Sequence, residues 1–244
     1  MNLTKLLLLI TPMIFMACGT ETIRNNETQT TQGTQTTHEI VSYKAKFIND
    51  KSCNQIIDNE FIVMCYDYKK KAVRAVSYTL FGDLVNESNI KERPSFYAEK
   101  KLKPKDRIYT TDYTKSGYDR GHMAPDASFD WSDESLESVY TLANIIPQAP
   151  QVNRRSWAKL EAYVRDKSVE LGELNVVNVV KYGIRSRRMG KHRMAISIGY
   201  YKVLYNEAYN YEECFYYSNK LGLSSDNDSV ENHSVSCATV SSNL

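Results

Sequence analysis

Side chains able to do chemistry crowd into one short stretch of the 244-residue chain. The string Tyr118-Asp119-Arg120-Gly121-His122-Met123-Ala124-Pro125 sets a histidine two residues beyond an arginine. Asn144-Ile145-Ile146-Pro147-Gln148 follows, and then Asn153, Trp157 and Glu161 at intervals of four. Histidine titrates near pH 6.5 when unperturbed, so a neutral imidazole at His122 can take a proton from water. The planar guanidinium of Arg120 can grip two oxygens of a phosphate at once, which a lysine ammonium cannot. Gly121 between them lets the backbone approach closely. A base for water, next to positive charge for a phosphorane, is what hydrolysis of a phosphate ester needs.

Taken singly, each residue has a plainer role. His122 reads as an ordinary loop histidine, Asn153 as a helix N-cap, Glu161 as a solvated helix charge and Trp157 as core. Asp119 reads as a holder of Arg120 or of a backbone amide, not as a base. The combination changes the balance. Asp-Arg-Gly-His, Asn-x-x-Pro-Gln and Asn-x-x-x-Trp-x-x-x-Glu, in this order and spacing, resemble the DNA/RNA non-specific endonuclease family, of the ββα-metal or His-Me finger class. The resemblance covers about residues 60 to 205.

That resemblance implies a catalytic set of His122, Arg120, Glu161 and Asn144, with His122 as general base and Arg120 binding the phosphate. It puts metal ligation on the amide oxygen of Asn153, with magnesium the expected ion and manganese the other candidate. One neutral oxygen suffices for magnesium because that ion keeps several of its waters. Glu161, two helical turns on and on a neighbouring face, would hydrogen-bond a metal-bound water. Asn144 would orient groups without ligating. Arg93, in Glu92-Arg93-Pro94-Ser95-Phe96, is a second candidate for phosphate binding.

These residues need elements to hold them. Val73 to Phe81 alternates as a half-buried strand does and stops at Gly82-Asp83. Asp106 to Tyr113 reads as strand edge and loop, Asp133 to Tyr140 as a short helix capped by Ser132, and Thr141 to Ile146 as a strand ended by Pro147. Ser156 to Leu171 is a helix with Trp157, Leu160 and Val164 on one stripe. Val176 to Tyr182 and Ala195 to Tyr205 read as buried strands. The expected fold is therefore a mixed α+β domain with a central antiparallel sheet, and the resemblance adds a ββα-metal active-site motif.

At the N-terminus, Lys5 precedes an apolar run from Leu6 to Met16 that is too short to span a bilayer. Residues 1–17 read as a signal peptide. Phe15-Met16-Ala17-Cys18 resembles a bacterial lipobox, which makes Cys18 the expected lipidation site. The Thr-, Gln- and Asn-rich stretch 18–41 reads as a disordered tether, 42–222 as the nuclease domain, and 223–244 as a polar tail pinned by Cys237. Beyond Cys18, the even set Cys53, Cys65, Cys214 and Cys237 suits disulfides in an exported chain. Of three pairings, neighbour pairing is favoured, because Cys53 to Cys65 closes a hairpin. With no CxxC or His/Cys cluster, zinc is not indicated.

Composition constrains the rest. A mean hydropathy of -0.49 rules out a transmembrane bundle. A formal charge of +2 does not by itself announce a nucleic-acid or membrane partner. The basic run Arg185, Arg187, Arg188, Lys191, His192 and Arg193 is by default a solvated hairpin, and in a nuclease a place for phosphates.

The resulting expectation is a surface-anchored endonuclease acting on DNA and RNA with little sequence preference and no obligate protein partner. It would sit in the cell envelope on its lipid, or be periplasmic or extracellular if the lipobox is not used. A phosphodiesterase on small phosphate esters and a non-catalytic nucleic-acid-binding surface lipoprotein are the alternatives.

Overall fold

The computed structural model describes residues 43–222 and 227–242. The stretches read above as signal peptide and tether, with Cys18, lie outside the described residues. Six strands form one antiparallel sheet: β1 (Gln55–Asp58), β2 (Val63–Asp67), β3 (Ala72–Phe81), β6 (Glu173–Lys181), β9 (Gly199–Asn206) and β10 (Tyr211–Ser218), in the spatial order β1-β2-β3-β6-β9-β10. Two small strand pairs are inserted: β4 (Asp119–His122) with β5 (Ile145–Gln148), and β7 (Arg188–Met189) with β8 (Met194–Ala195). The helices are α1 (Tyr43–Phe47), α2 (Asp133–Ser138), α3 (Trp157–Leu171) and α4 (Cys237–Ser242).

Both faces of the sheet are covered, which is why its central strands read as nearly continuous apolar runs. Along β6, Val176 and Val180 face one core while Val177 and Val179 face the other, as a two-residue period requires. The first core includes Tyr200 and Leu204 of β9, Trp157, Leu160 and Val164 of α3, and Ile146 of β5. The second takes Tyr201, Val203 and Tyr205 from β9 and covers them with Tyr43 and Phe47 of α1 and with Val240 of α4.

Disulfides Cys53–Cys65 and Cys214–Cys237 both lie in this second core, in the neighbour pairing. Loops of 12 and 23 residues closed in this way restrict the unfolded chain by about 3 kcal/mol each. The C-terminal stretch packs here too: Cys237 is bonded to β10, and Val240 is fully buried.

The helix at 133–138 begins at Ser132, whose hydroxyl accepts the Ser135 N–H. Two local expectations are corrected. Asp106 to Tyr113 contains no strand; it forms two 3-10 turns, Pro104–Asp106 and Thr110–Tyr113. In the expected strand from Thr141 to Ile146, Leu142–Asn144 is a 3-10 turn and β5 begins only at Ile145, while Pro147 does not end the strand but sits inside it, opposite Arg120. A two-strand ribbon has a free edge on each side, so a proline there need remove no ladder hydrogen bond.

Candidate active site

β5 and α3 both reach the first core, and β4, which runs from Asp119 to His122, is paired with β5. Alternation along β4 puts Arg120 and His122 on one side. Gly121 faces the opposite way, where a Cβ would stand 1.9 Å from Gln148 Oε1. The glycine is thus required by the packing of Gln148 against β4, and not, as the sequence suggests, by a close approach of the backbone on the side of Arg120 and His122.

Between β5 and α3 the chain makes a π-helical turn over Val152–Ser156 before the α-helix begins at Trp157. The turn changes where Asn153 points. In an uninterrupted α-helix, residues eight apart are rotated by about 80°, whereas seven apart they differ by only about 20°. A π turn absorbs one extra residue. Asn153 and Glu161, eight apart, therefore face the same way, and the expectation of neighbouring faces is corrected.

Arg120, His122, Pro125, Asp126, Asn153 and Glu161 line one pocket of about 200 Å³. Four of the sequence candidates are thus brought together. Asn144 is not among its walls. It is fully buried, its Oδ1 accepts the Ala124 N–H at 2.9 Å, and its Nδ2 donates to Ala124 O at 2.9 Å and Val139 O at 2.8 Å. Its place is beneath the turn that leaves His122, which it holds in shape. Arg93 is held by carboxylates, with Nη2 donating to Asp130 at 3.0 Å and Nε 3.3 Å from Asp126.

His122 packs against the rings of Phe96 and Tyr140, with centroids 5.3 Å and 5.1 Å away. Burial pushes its pKa down to about 4; Asp126 opposes the shift, and Arg93 and Arg120 add to it. The imidazole is therefore neutral at neutral pH. Its Nε2 is sealed from solvent and has no hydrogen-bond partner among the described residues, which leaves Nδ1 as the nitrogen a pocket water can reach. Arg120 stacks over Phe96 at 4.8 Å and forms no ion pair among the described residues, so its charge is available.

Asp119 is not among the walls of this pocket and fixes the π turn. Asn153 Nδ2 donates to its Oδ2 at 3.1 Å, and Arg154 donates to both of its oxygens at 2.8 and 2.7 Å. Although burial pushes this carboxyl up, the bonds from Arg154 and Asn153 outweigh it and hold it below the ordinary range. With Nδ2 committed, the Asn153 amide oxygen is the group left for the pocket.

Three functional side chains were not singled out by the sequence. Asp126 lines the pocket and accepts the Tyr140 hydroxyl at 2.9 Å. Asn178 of β6 donates to Met123 O at 2.6 Å, beneath the residue after His122. Lys202 of β9 is fully buried, with Nζ 4.5 Å from the Trp157 ring centroid and 3.3 Å from the Tyr78 hydroxyl. Burial lowers the Lys202 pKa and Glu161 raises it; burial raises the Glu161 pKa and Lys202 lowers it. Lys202 was legible in principle as the inward-facing position between Tyr200 and Leu204, where a lysine needs a partner.

Among the described residues no three His, Cys, Asp or Glu side chains are grouped to hold a metal. The pocket instead offers the Asn153 amide oxygen with the Glu161 and Asp126 carboxylates, an all-oxygen set with room for water. Such a set fits magnesium, which binds few protein oxygens and keeps waters.

The family model for DNA/RNA non-specific endonucleases matches residues 42–242. Human mitochondrial endonuclease G is 27% identical over 168 residues, 63% of this chain and 55% of that protein. A nuclease of Nostoc sp. is 38% identical over 71 residues, 29% of this chain and 26% of its own. The chain spans about half the length of the mitochondrial relatives it matches. A crystal structure of an EndoG/EndoGI complex aligns with a TM-score of 0.70 at 23% identity, covering 77% of this chain and 82% of that one, which shows a shared fold.

Proposed function

Because the chain belongs to the DNA/RNA non-specific endonuclease family, we propose that it hydrolyses internal phosphodiester bonds of DNA and RNA with little sequence preference and with the help of a divalent ion, magnesium. The observation that carries this reading is the single pocket shared by Arg120, His122, Asn153 and Glu161. Asn153 Oδ1 would hold the ion directly, and Glu161 would accept from one of its waters. Bound there, magnesium supplies positive charge to the phosphate.

The chain's own residues do the rest. Arg120 binds a phosphate oxygen and turns the ester toward His122. Neutral His122 takes the proton of the attacking water at Nδ1 as the P–O bond to the leaving sugar oxygen breaks, and that oxygen takes a proton from a pocket water. Asp126, paired with Arg93 and facing the imidazole, stabilises the imidazolium that forms. Apart from Pro125, the groups that line the pocket address phosphate, ion or water, and none reads a base edge, which supports non-specific cutting.

We further propose export to the cell envelope with acylation at Cys18, supported by the apolar run and lipobox-like string at the N-terminus. The test of the catalytic reading is digestion of plasmid and RNA by the purified full chain across magnesium, manganese, calcium and chelator. Nicking and RNA cleavage with magnesium, abolished by chelator and slowed by about 10²- to 10⁴-fold in His122→Ala, are expected. Absence of cleavage with every ion would overturn it.

A further inference from the structure

Tyr118, Arg120 and His122 occupy alternate positions along the chain at about 3.4 Å per residue, yet Tyr118 does not line the pocket the other two share. It lines a separate one of about 410 Å³. Arg185, Arg187 and Lys220, all exposed, stand around this second concavity, and Ile198 and Leu221 form its apolar lip. Those two are 45% and 53% exposed, unusually open for large apolar side chains beside cations.

The two pockets share a hydrogen-bonded frame. Buried Asn219 lines the second pocket; its Nδ2 donates to Ser197 O at 3.1 Å and to Pro147 O at 2.8 Å, and its Oδ1 accepts the Ala149 N–H at 2.8 Å. Pro147 pairs with Arg120 in the β4–β5 ribbon. A ligand in the second pocket is therefore held in register with the first.

The structure also sorts the basic run. Arg188 Nη1 donates to Lys69 O at 2.6 Å and Arg193 O at 3.0 Å, and His192 Nδ1 lies 2.9 Å from the buried carboxylate of Asp112. Those two fix the hairpin. Arg185 and Arg187 form no ion pair among the described residues and turn to the pocket.

We propose that this second pocket is a subsite for an unpaired nucleotide of the strand being cut, with its base against Tyr118 and the Ile198–Leu221 lip and its phosphates against Arg185, Arg187 and Lys220. The proposal rests on the reading of the Arg120–His122 pocket as the cleavage site. Cations that track a backbone, together with an aromatic platform for a base, are the means by which proteins hold single strands without reading sequence. An anionic membrane surface would also meet cations and apolar tips. The concave shape and the bonds through Asn219 to the cleavage ribbon favour a strand. Single-stranded or locally opened substrate should bind more tightly than closed duplex.

Full-length His122→Ala protein, whose turnover is slowed by about 10²- to 10⁴-fold, allows binding of a fluorescent single-stranded oligonucleotide to be read by anisotropy before it is cut. Adding Tyr118→Ala should weaken binding by about tenfold or more, and Tyr118→Phe should not, because the ring is what stacks. Replacing Arg185, Arg187 and Lys220 by alanine together should lower the salt slope by about two, at roughly 0.7 per phosphate contact on a single strand. If wild-type protein cuts plasmid while these variants bind the oligonucleotide as tightly as the parent, the subsite is overturned and the nuclease reading stands. Loss of binding to phosphatidylglycerol vesicles with oligonucleotide affinity unchanged overturns it in favour of a membrane surface. If the wild type cuts neither plasmid nor RNA, the nuclease reading falls and the subsite with it.

Discussion

Asp119 accepts a hydrogen bond from Asn153 Nδ2 at 3.1 Å across 34 residues of sequence, joining the first residue of β4 to the π turn that precedes α3. The bond settles which end of the amide faces the pocket. It also ties the strand that carries His122 to the helix that carries Glu161. Arg154 secures the carboxylate from the solvent side, with its own side chain 69% exposed.

Removing this orienting group should act through the ion. Asp119→Ala frees the Asn153 amide to rotate, and loss of a group that orients a metal ligand typically lowers metal affinity by about 10- to 100-fold. The magnesium concentration for half-maximal plasmid nicking should rise by that factor, with the rate recovered at high magnesium. Arg154→Ala, which removes an exposed partner, should shift it only a few-fold. Equal magnesium curves for Asp119→Ala and wild type would show that the clamp does not orient the ligand.

Anchoring is tested independently of catalysis. Cys18 stands directly after the apolar run and before the polar stretch that leads to the domain. Cells grown with labelled palmitate should label the protein and retain it in the membrane fraction. Cys18→Ser should abolish the label while leaving nuclease activity intact, since the stretch matched by the family model starts at residue 42. Undiminished labelling of the variant is the contrary result.

Local pattern carried much of the fold. The alternation of Val73 to Phe81, the Trp157–Leu160–Val164 stripe and the Ser132 cap are short-range signals, and they correspond to β3, α3 and α2. Pro147 misled because a proline reads as a strand end unless one knows that the strand lies in a two-strand ribbon. The candidate site was legible as residue types but not as an arrangement. Asp126 and Lys202 each needed a long-range contact to acquire meaning, with Tyr140 and Arg93 in the first case and Glu161 in the second. The π turn that swings Asn153 into line with Glu161 follows a strand and is clamped by one, and no helical periodicity announces it.

Lys202 is the buried cation whose field opposes the burial of Glu161. Lys202→Met keeps the volume and removes the charge. Glu161 should then hold its proton to higher pH, and the acidic limb of the nicking pH profile should move upward. Stability gives a second readout. Above neutrality the variant keeps a buried carboxylate without its cation, whereas at lower pH Glu161 is protonated and the missing charge matters less. The urea midpoint of the variant should therefore fall further below wild type on the alkaline side than on the acidic side. A deficit independent of pH would show that Lys202 serves packing alone.

His122 combines a catalytic and a thermodynamic expectation. Its pKa is held near 4 by burial, while in the unfolded chain it returns to about 6.5. Between those values the unfolded chain binds a proton that the folded protein does not, so stability is lost as pH falls through that window and is fully present above it. His122→Ala removes this contribution, and its urea midpoint should fall less steeply than that of the wild type as pH is lowered from about 6.5 to about 4. The same depressed pKa keeps the base neutral, so titration of His122 should not limit nicking until pH falls well below the ordinary histidine range. Loss of a positioned base lowers turnover by about 10²- to 10⁴-fold, and His122→Ala should show that loss while binding oligonucleotide as the wild type does. Imidazole added to the variant should restore part of the rate by supplying the missing acceptor. Nicking by His122→Ala at the wild-type rate, without imidazole, would place the base elsewhere in the pocket.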